Sequence, residues 1–287
     1  MKVLVLATTA AALTIHFDPR HAQHRNRRGH PESPARLDVH IAPALRETAA
    51  KWAPPPTRDD ALEAVLRVHD GEHVARVRKA SSPWRLRRTR FAPDTFARRG
   101  THAALLRAQA LWLDAVDGAL GDGEARFALS RPPGHHASRH AADGFCFYNF
   151  AAAATAYALD KHELDWVALV DWDAHHGNGL AAYAAEEPRV AYASAHQAPL
   201  WPHTGDVAGA EGNCLNAPVG RGANADSYGE AWAECLDFVK TRCRAEGRGL
   251  VIVSAGFDAL EDDPLTQCRL GVDDFEALGA AAKEAAT

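Results

Sequence analysis

No apolar run in the 287-residue sequence is long enough to cross a membrane as a helix, which takes about 20 residues, so no membrane partner is expected. Repeats are missing too, which excludes a solenoid or propeller assembled from equivalent units. The five cysteines (146, 214, 235, 243 and 268) are odd in number and form no C-x-x-C pair. That usage suits unpaired thiols in a reducing compartment, and a cytoplasmic location is expected. A surplus of basic charge is also absent, since the formal net charge is −5. Nucleic acid is therefore not an expected partner. The two local basic clusters, Arg20–Arg28 and Arg76–Arg90, read as solvated loops and helix faces. What remains is 47% hydrophobic and 24% charged residues, enough for a sizeable core. The sixteen histidines are left unexplained by bulk composition.

Short apolar runs at Val3–Leu6, Ala125–Leu129, Trp166–Val170 and Leu250–Val253 read as buried strands of one parallel sheet. The first opens a stretch, VLVLATTAAALTI, that also has the look of a short signal peptide; the strand reading is preferred because HFDP follows without a cleavage-type segment. A further strand is expected at Val190–Ser194, and helices at Arg36–Thr48, Thr101–Val116, Phe150–Leu159 and Ser227–Ala245. The alternation predicts a doubly wound α/β fold in a single domain, 1–287. Ligands of such sheets sit beyond the carboxyl ends of the strands. Three strands end in ionisable clusters, RPPGHH (131–136), DWDAHHG (171–177) and GFD (256–258), expected to converge on one edge.

Asp171, Asp173 and His175 alternate and so share one side of an extended segment. Asp173 and His175 offer a carboxylate oxygen and an imidazole nitrogen to a divalent metal, and Asp258 a third donor. Three mixed ligands with an open position mark a catalytic zinc rather than a structural one. His135 and His136, on a Pro-Gly turn, suit a general base and a general acid beside a metal-activated water. Asp171 and Asn178 are candidates to fix their tautomers. Gly144 lets the backbone approach a ligand, and Phe145 reads either as the wall of an apolar slot or as ordinary core.

RPPGHHA (131–137), GFCFYN (144–149), DWDAHHGNG (171–179), SAHQ (194–197) and SAGFDALEDDPL (254–265), preceded by GHPESPARL (29–37), resemble in order and spacing the histone deacetylases and acetylpolyamine amidohydrolases, in their class II-like bacterial branch. The resemblance implies the arginase/deacetylase α/β fold, one zinc ion on Asp173, His175 and Asp258, and His135 and His136 as the catalytic pair. It further implies an acyl-lysine tunnel walled by Gly144, Phe145, Trp201 and Leu265, and a rim carboxylate at Asp94. A potassium ion at Asp171, Asp173, His175 and Ser194 is implied as well. The expected activity is removal of acetyl or related acyl groups from a lysine peptide, a polyamine or another small amine. Three departures stand out, the first that Asn178 backs the second histidine of the pair, as in the class II branch. His203 occupies a position that is usually Gly, and the family's later Gly-Gly-Tyr segment is not in the sequence, so either a C-terminally truncated domain or a protein without that tyrosine is expected, with weak acetyl-lysine turnover. Two other readings remain at this stage: a binuclear manganese ureohydrolase, for which the second metal has too few carboxylates, and a non-catalytic acyl-lysine or polyamine binder.

Overall fold

The structure is a computed structural model describing residues 3–4, 13–243 and 247–286. Along the chain come β1 (Val3–Leu4), β2 (Leu13–Phe17), a π-helical turn at Arg36–Ile41 leading into α1 (Ala42–Arg46), β3 (Lys51–Trp52), α2 (Ala61–Val68) and α3 (Gly71–Ala80). The hairpin β4 (Thr89–Arg90) and β5 (Phe96–Ala97) precedes α4 (Thr101–Asp122), β6 (Ala125–Leu129) and α5 (Phe150–Lys161). There follow β7 (Trp166–Asp171), α6 (Asn178–Glu186), β8 (Val190–Gln197), β9 (Gly209–Glu211), β10 (Cys214–Val219), α7 (Ala225–Arg242), β11 (Gly249–Ser254) and α8 (Val272–Ala285). Backbone contacts divide the chain into two compact units, residues 1–8 with 158–287, and residues 9–157.

In the first unit six strands run in the order β1-β11-β7-β8-β10-β9, all parallel except the β9–β10 pair. Every residue of β7 and β8 is buried, as expected of central parallel strands, which are covered on both faces. Every second residue, among them Ala168, Val170, Ala193 and Val251, packs in one cluster with Trp232, Leu236 and Val239 of α7 and Leu278 of α8. Asn224 and Ser227 cap α7 reciprocally, each side chain accepting the other's backbone N–H at 3.2 Å, and so satisfy two otherwise unpaired donors. In register, Ser254, Asp171 and Ser194 stand side by side at the carboxyl ends of β11, β7 and β8.

The second unit holds the parallel sheet β3-β2-β6. Here the expectation for Ala125–Leu129 is corrected: β6 pairs with β2, not with β7 or β11. Its true partner, LTIHF, carries Thr14 and His16 within a five-residue run and is poorly marked as a strand by apolar content. The helix expected over Arg36–Thr48 is broken into the π-helical turn and α1, with Pro43 in the first turn of α1; a proline lacks the N–H that would continue the earlier ladder. Of the Val3–Leu6 run, Val3 and Leu4 pair with β11, while the rest of it and most of the signal-like stretch lie outside the described residues. The helix α4 begins and ends at left-handed glycines, Gly100 (φ 85°) and Gly123 (φ 83°), a conformation that costs glycine nothing.

A buried ion pair fixes the segment that follows β6. Arg131, 1% exposed, donates through Nε to Glu32 Oε1 at 2.7 Å and through Nη2 to Oε2 at 2.8 Å. Its Nη1 donates to the carbonyls of His21 (3.0 Å) and His24 (2.9 Å). Glu32 also accepts from Asn26 Nδ2 at 2.8 Å and lies 3.2 Å from His24 Nε2. Burial works against the Glu32 charge, but the hydrogen bonds and charges of His24 and Arg131 outweigh it and bring the carboxyl down to about 2.

Glu32→Ala should cost about 3–5 kcal/mol, because it leaves Arg131 buried without its counter-charge; urea unfolding measures the loss. The pH dependence should come in two stages. Burial lowers His16, His69 and His102 from 6.5 to about 4, so their unfolded forms bind protons first. Stability should therefore decline as pH falls from 6.5 towards 4. Glu32 adds its own loss only below about 4.5, its unfolded value, progressing towards 2. A urea midpoint that stays flat from pH 7 to 5 would contradict the neutral, buried histidines.

Candidate active site

Beyond the end of β7 the chain turns so that backbone N–H groups meet carboxylates. The fully buried Asp171 accepts from Asp173 N at 3.1 Å and from the Tyr192 hydroxyl at 3.4 Å. Asp173 Oδ1 accepts from His175 N at 2.9 Å. Asp258, four residues past β11, accepts from Ala174 N at 2.8 Å. Its other oxygen lies 2.6 Å from His175 Nδ1, which is also 3.2 Å from Asp173 Oδ1. One imidazole nitrogen is thus shared by two carboxylates. Burial opposes a charge on His175, yet the hydrogen bonds and charges of Asp173 and Asp258 hold its proton far above the ordinary imidazole range. Burial, and next the charge of Asp173, push the Asp258 carboxyl upward.

The residues present fit a divalent metal. Each of Asp173, His175 and Asp258 offers a donor atom within 4.8 Å of the others, and no other such group of His, Cys, Asp and Glu occurs among the described residues. Gly256 makes the close approach possible, because a Cβ there would stand 2.0 Å from Asp173 Oδ2. Any side chain at 256 would displace the Asp173 carboxylate.

The other sequence-expected residues of this unit lie around the trio. The Trp201 ring meets the His175 ring edge-on at 6.2 Å. Ser194 is buried, its hydroxyl 2.9 Å from His196 Nδ1. Asn178 opens α6 and donates its N–H to the His176 carbonyl at 2.9 Å. Leu265 is half exposed at 46%, its N–H held by Asp263 Oδ1 at 2.8 Å; the next residue, Thr266, hydrogen-bonds the Asp258 carbonyl. Sequence reading passed over His176, whose Nδ1 lies 2.8 Å from Thr204 Oγ1 and whose ring stacks near His196 at 4.8 Å. Gly205 closes on both rings, since a Cβ there would come within 2.7 Å of each. His203 in the same loop has φ 61°, a left-handed value that favours glycine and accounts for why Gly would be the easier residue there.

The second unit carries the histidine pair. His135 and His136 are buried, with ring centroids 3.9 Å apart and planes at 47°. Gly134 admits the turn, because a Cβ would press on Tyr148 O at 2.9 Å and Phe150 N at 3.0 Å. Asn149 ties the far side of the turn through Nδ2 to the Ala137 carbonyl at 3.2 Å, while its own N–H donates to His69 Nε2 at 2.8 Å. Gly144 and Phe145 adopt φ 50° and 67°. Phe145 is held there by its N–H to Thr95 Oγ1 (2.9 Å) and by edge contact with the His30 ring at 5.0 Å. Asp94 is half-buried; its carboxylate accepts from Thr95 Oγ1 at 2.9 Å and its carbonyl lies 3.1 Å from His30 Nε2. Arg131, Glu32, Asn149 and His69 were not marked as functional by the sequence, although Glu32, Arg131 and Asn149 sit within the motifs read there.

Comparison with known proteins places this geometry in a family. The chain is 32% identical to acetylpolyamine amidohydrolase of Mycoplana ramosa, covering 86% of this chain and 82% of that protein. It is also 32% identical to the histone deacetylase-like amidohydrolase of Pseudomonas aeruginosa, covering 90% and 68%. The crystal structure of the HDA15 HD domain superposes with a TM-score of 0.79 at 30% identity, covering 92% of this chain and 77% of that one. The fold is the arginase/deacetylase fold that the motifs implied, with a mostly parallel sheet and flanking helices. The histone deacetylase domain matches residues 30–287, and the chain belongs to that family.

Proposed function

We propose that the protein is a zinc-dependent amidohydrolase that removes acetyl or related acyl groups from lysine side chains or acylated amines. The carrying observation is the trio Asp173, His175 and Asp258, two carboxylates and one imidazole focused on a common point. Zinc bound there would supply a Lewis acid for the acyl carbonyl and an acidified water. The chain's own groups do the rest. His175 would have to release its Nδ1 proton before that nitrogen could hold a metal. Ala174 N–H and His175 N–H hold the carboxylates in position. His135 and His136 serve as the proton-transfer pair, one accepting the proton of the attacking water and one protonating the departing amine. Asp171 and Asn178 act behind them to set tautomers. Phe145, Gly144, Trp201 and Leu265 enclose the acyl-bearing chain, and Asp94 takes the substrate backbone or amine at the rim. The buried Asp171 carboxylate beside Ser194 is the support for a potassium ion at Asp171, Asp173, His175 and Ser194. Relatives named for acetylpolyamines and for histone deacetylation support an acylated amine as substrate.

Elemental analysis of the purified protein should find about one zinc per chain, and Asp258→Asn or Gly256→Ala should strip it. Two tightly held manganese ions per chain would instead establish a ureohydrolase-type centre.

His135→Ala and His136→Ala should each lower deacetylation by roughly 100- to 10,000-fold with zinc content and hydroxamate affinity retained. Loss of the metal in either variant would show that the histidine is a ligand. Unchanged turnover would remove it from the chemistry. Affinity for acyl-lysine with no turnover in the unsubstituted, zinc-loaded protein would make it a binder.

A further inference from the structure

The basic stretch beyond Arg76, read from sequence as a solvated face, has a specific placement. Gly100 N donates to the Ser81 carbonyl at 3.3 Å, so residues 82–99 form an excursion whose ends meet. Within it lie six arginines, at 85, 87, 88, 90, 98 and 99, against one acid, Asp94. All six are exposed, and among the described residues none of them forms an ion pair. Trp84 and Leu86 project from the same stretch at 89% and 93% exposure. In a chain of net charge −5 this is a concentrated, unneutralised cationic surface with an apolar tip.

The excursion is anchored to the Phe145 segment. Its hairpin presents Thr95 to Phe145 N and Asp94 to His30, and Phe91 packs edge-on against Phe147 at 5.5 Å. The Arg76 guanidinium of α3 lies over Phe91 at 5.6 Å and that of Arg88 over Phe96 at 5.1 Å, so one cation from α3 and one from the excursion itself stiffen the hairpin. The arginines therefore belong to an excursion, a collar, that is tied through Thr95 to the residue read as the tunnel wall.

We infer that this collar selects acyl-lysine in acidic peptide segments and disfavours acylated polyamines, an inference that rests on the reading of Phe145 and Asp94 as tunnel and rim. Arginine pairs with carboxylates in a bidentate way that a point charge does not match. The amines left free on an acylated polyamine are cations and meet like charge. Trp84 and Leu86 supply apolar contact to peptide residues beyond the acyl-lysine, which a small amine does not have.

The test compares kcat/KM for acetyl-lysine peptides flanked by Asp or by Lys, and for an N-acetylpolyamine, in the zinc-loaded protein. The quantity read is the acidic-to-basic ratio, so a general loss of activity cancels. The ratio should be roughly tenfold or more at low salt and should collapse near 1 M salt, where the screening length is about 3 Å. Arg85→Glu, Arg87→Glu and Arg88→Glu combined should erase or invert it. Trp84→Ser with Leu86→Ser should keep it while raising KM for long peptides. Persistence of the ratio in the triple variant, or better turnover of the acetylpolyamine than of the acidic peptide, would overturn the inference. Failure to turn over any substrate would count against the proposed function alone; the collar would then be judged by fluorescence anisotropy of a labelled acidic peptide on unsubstituted and triple-variant protein. Equal affinity for the two would overturn it.

Discussion

Two carboxylates aimed at one imidazole nitrogen cannot both keep their charge without a cation between them. At about 4 Å the repulsion of two unit charges is worth roughly 4 kcal/mol at the effective dielectric of a protein surface. Asp173 and Asp258 are held in that position by backbone N–H groups and by the missing side chain at Gly256, so relaxation is blocked. A proton on His175 answers the demand when no metal is present, and a divalent ion answers it better. The apolar interior of β7, β8 and β11 with α7 and α8 is what keeps the strand ends, and hence the charges, from moving apart. Stability of the sheet and strain at its end are two sides of one arrangement.

The other unit solves a related problem with the opposite sign. Arg131 is buried where it could not stay alone, and Glu32, ninety-nine residues away in sequence, neutralises it. Buried pairs of this kind add little net stability, but their geometry is strict. Two parallel bonds to Glu32 and two to the carbonyls of His21 and His24 fix the direction in which the chain enters the turn bearing His135 and His136. Asn149 fixes its exit.

What could be read from the sequence follows the range of the interactions. The trio was legible because Asp173 and His175 alternate within one short segment and Asp258 follows closely on Leu250–Val253, a run of pure β-branched and Leu character. The helix over Thr101 was legible from its periodicity, and it extends further than expected, through Gly118 and Gly121, to the left-handed Gly123. Pairings across long separations were not legible. Nothing local in LTIHF announces that β2 claims β6, nor in GHPES that Glu32 meets Arg131. His176 follows His175 directly, yet its Nδ1 meets Thr204, in a loop whose course depends on Gly205 and His203. Leu265 matched a motif position, but its 46% exposure is not written in the motif.

The closure of residues 82–99 at a single backbone contact has a consequence for how such a chain can diverge. Because its ends already touch, lengthening the excursion adds loop entropy only logarithmically, and its tip packs against no described core cluster. Recharging or extending it leaves Gly256, Asn149 and the buried ion pair untouched. The six arginines of the excursion can thus vary in charge without any change in the groups that hold Asp173, His175 and Asp258 together.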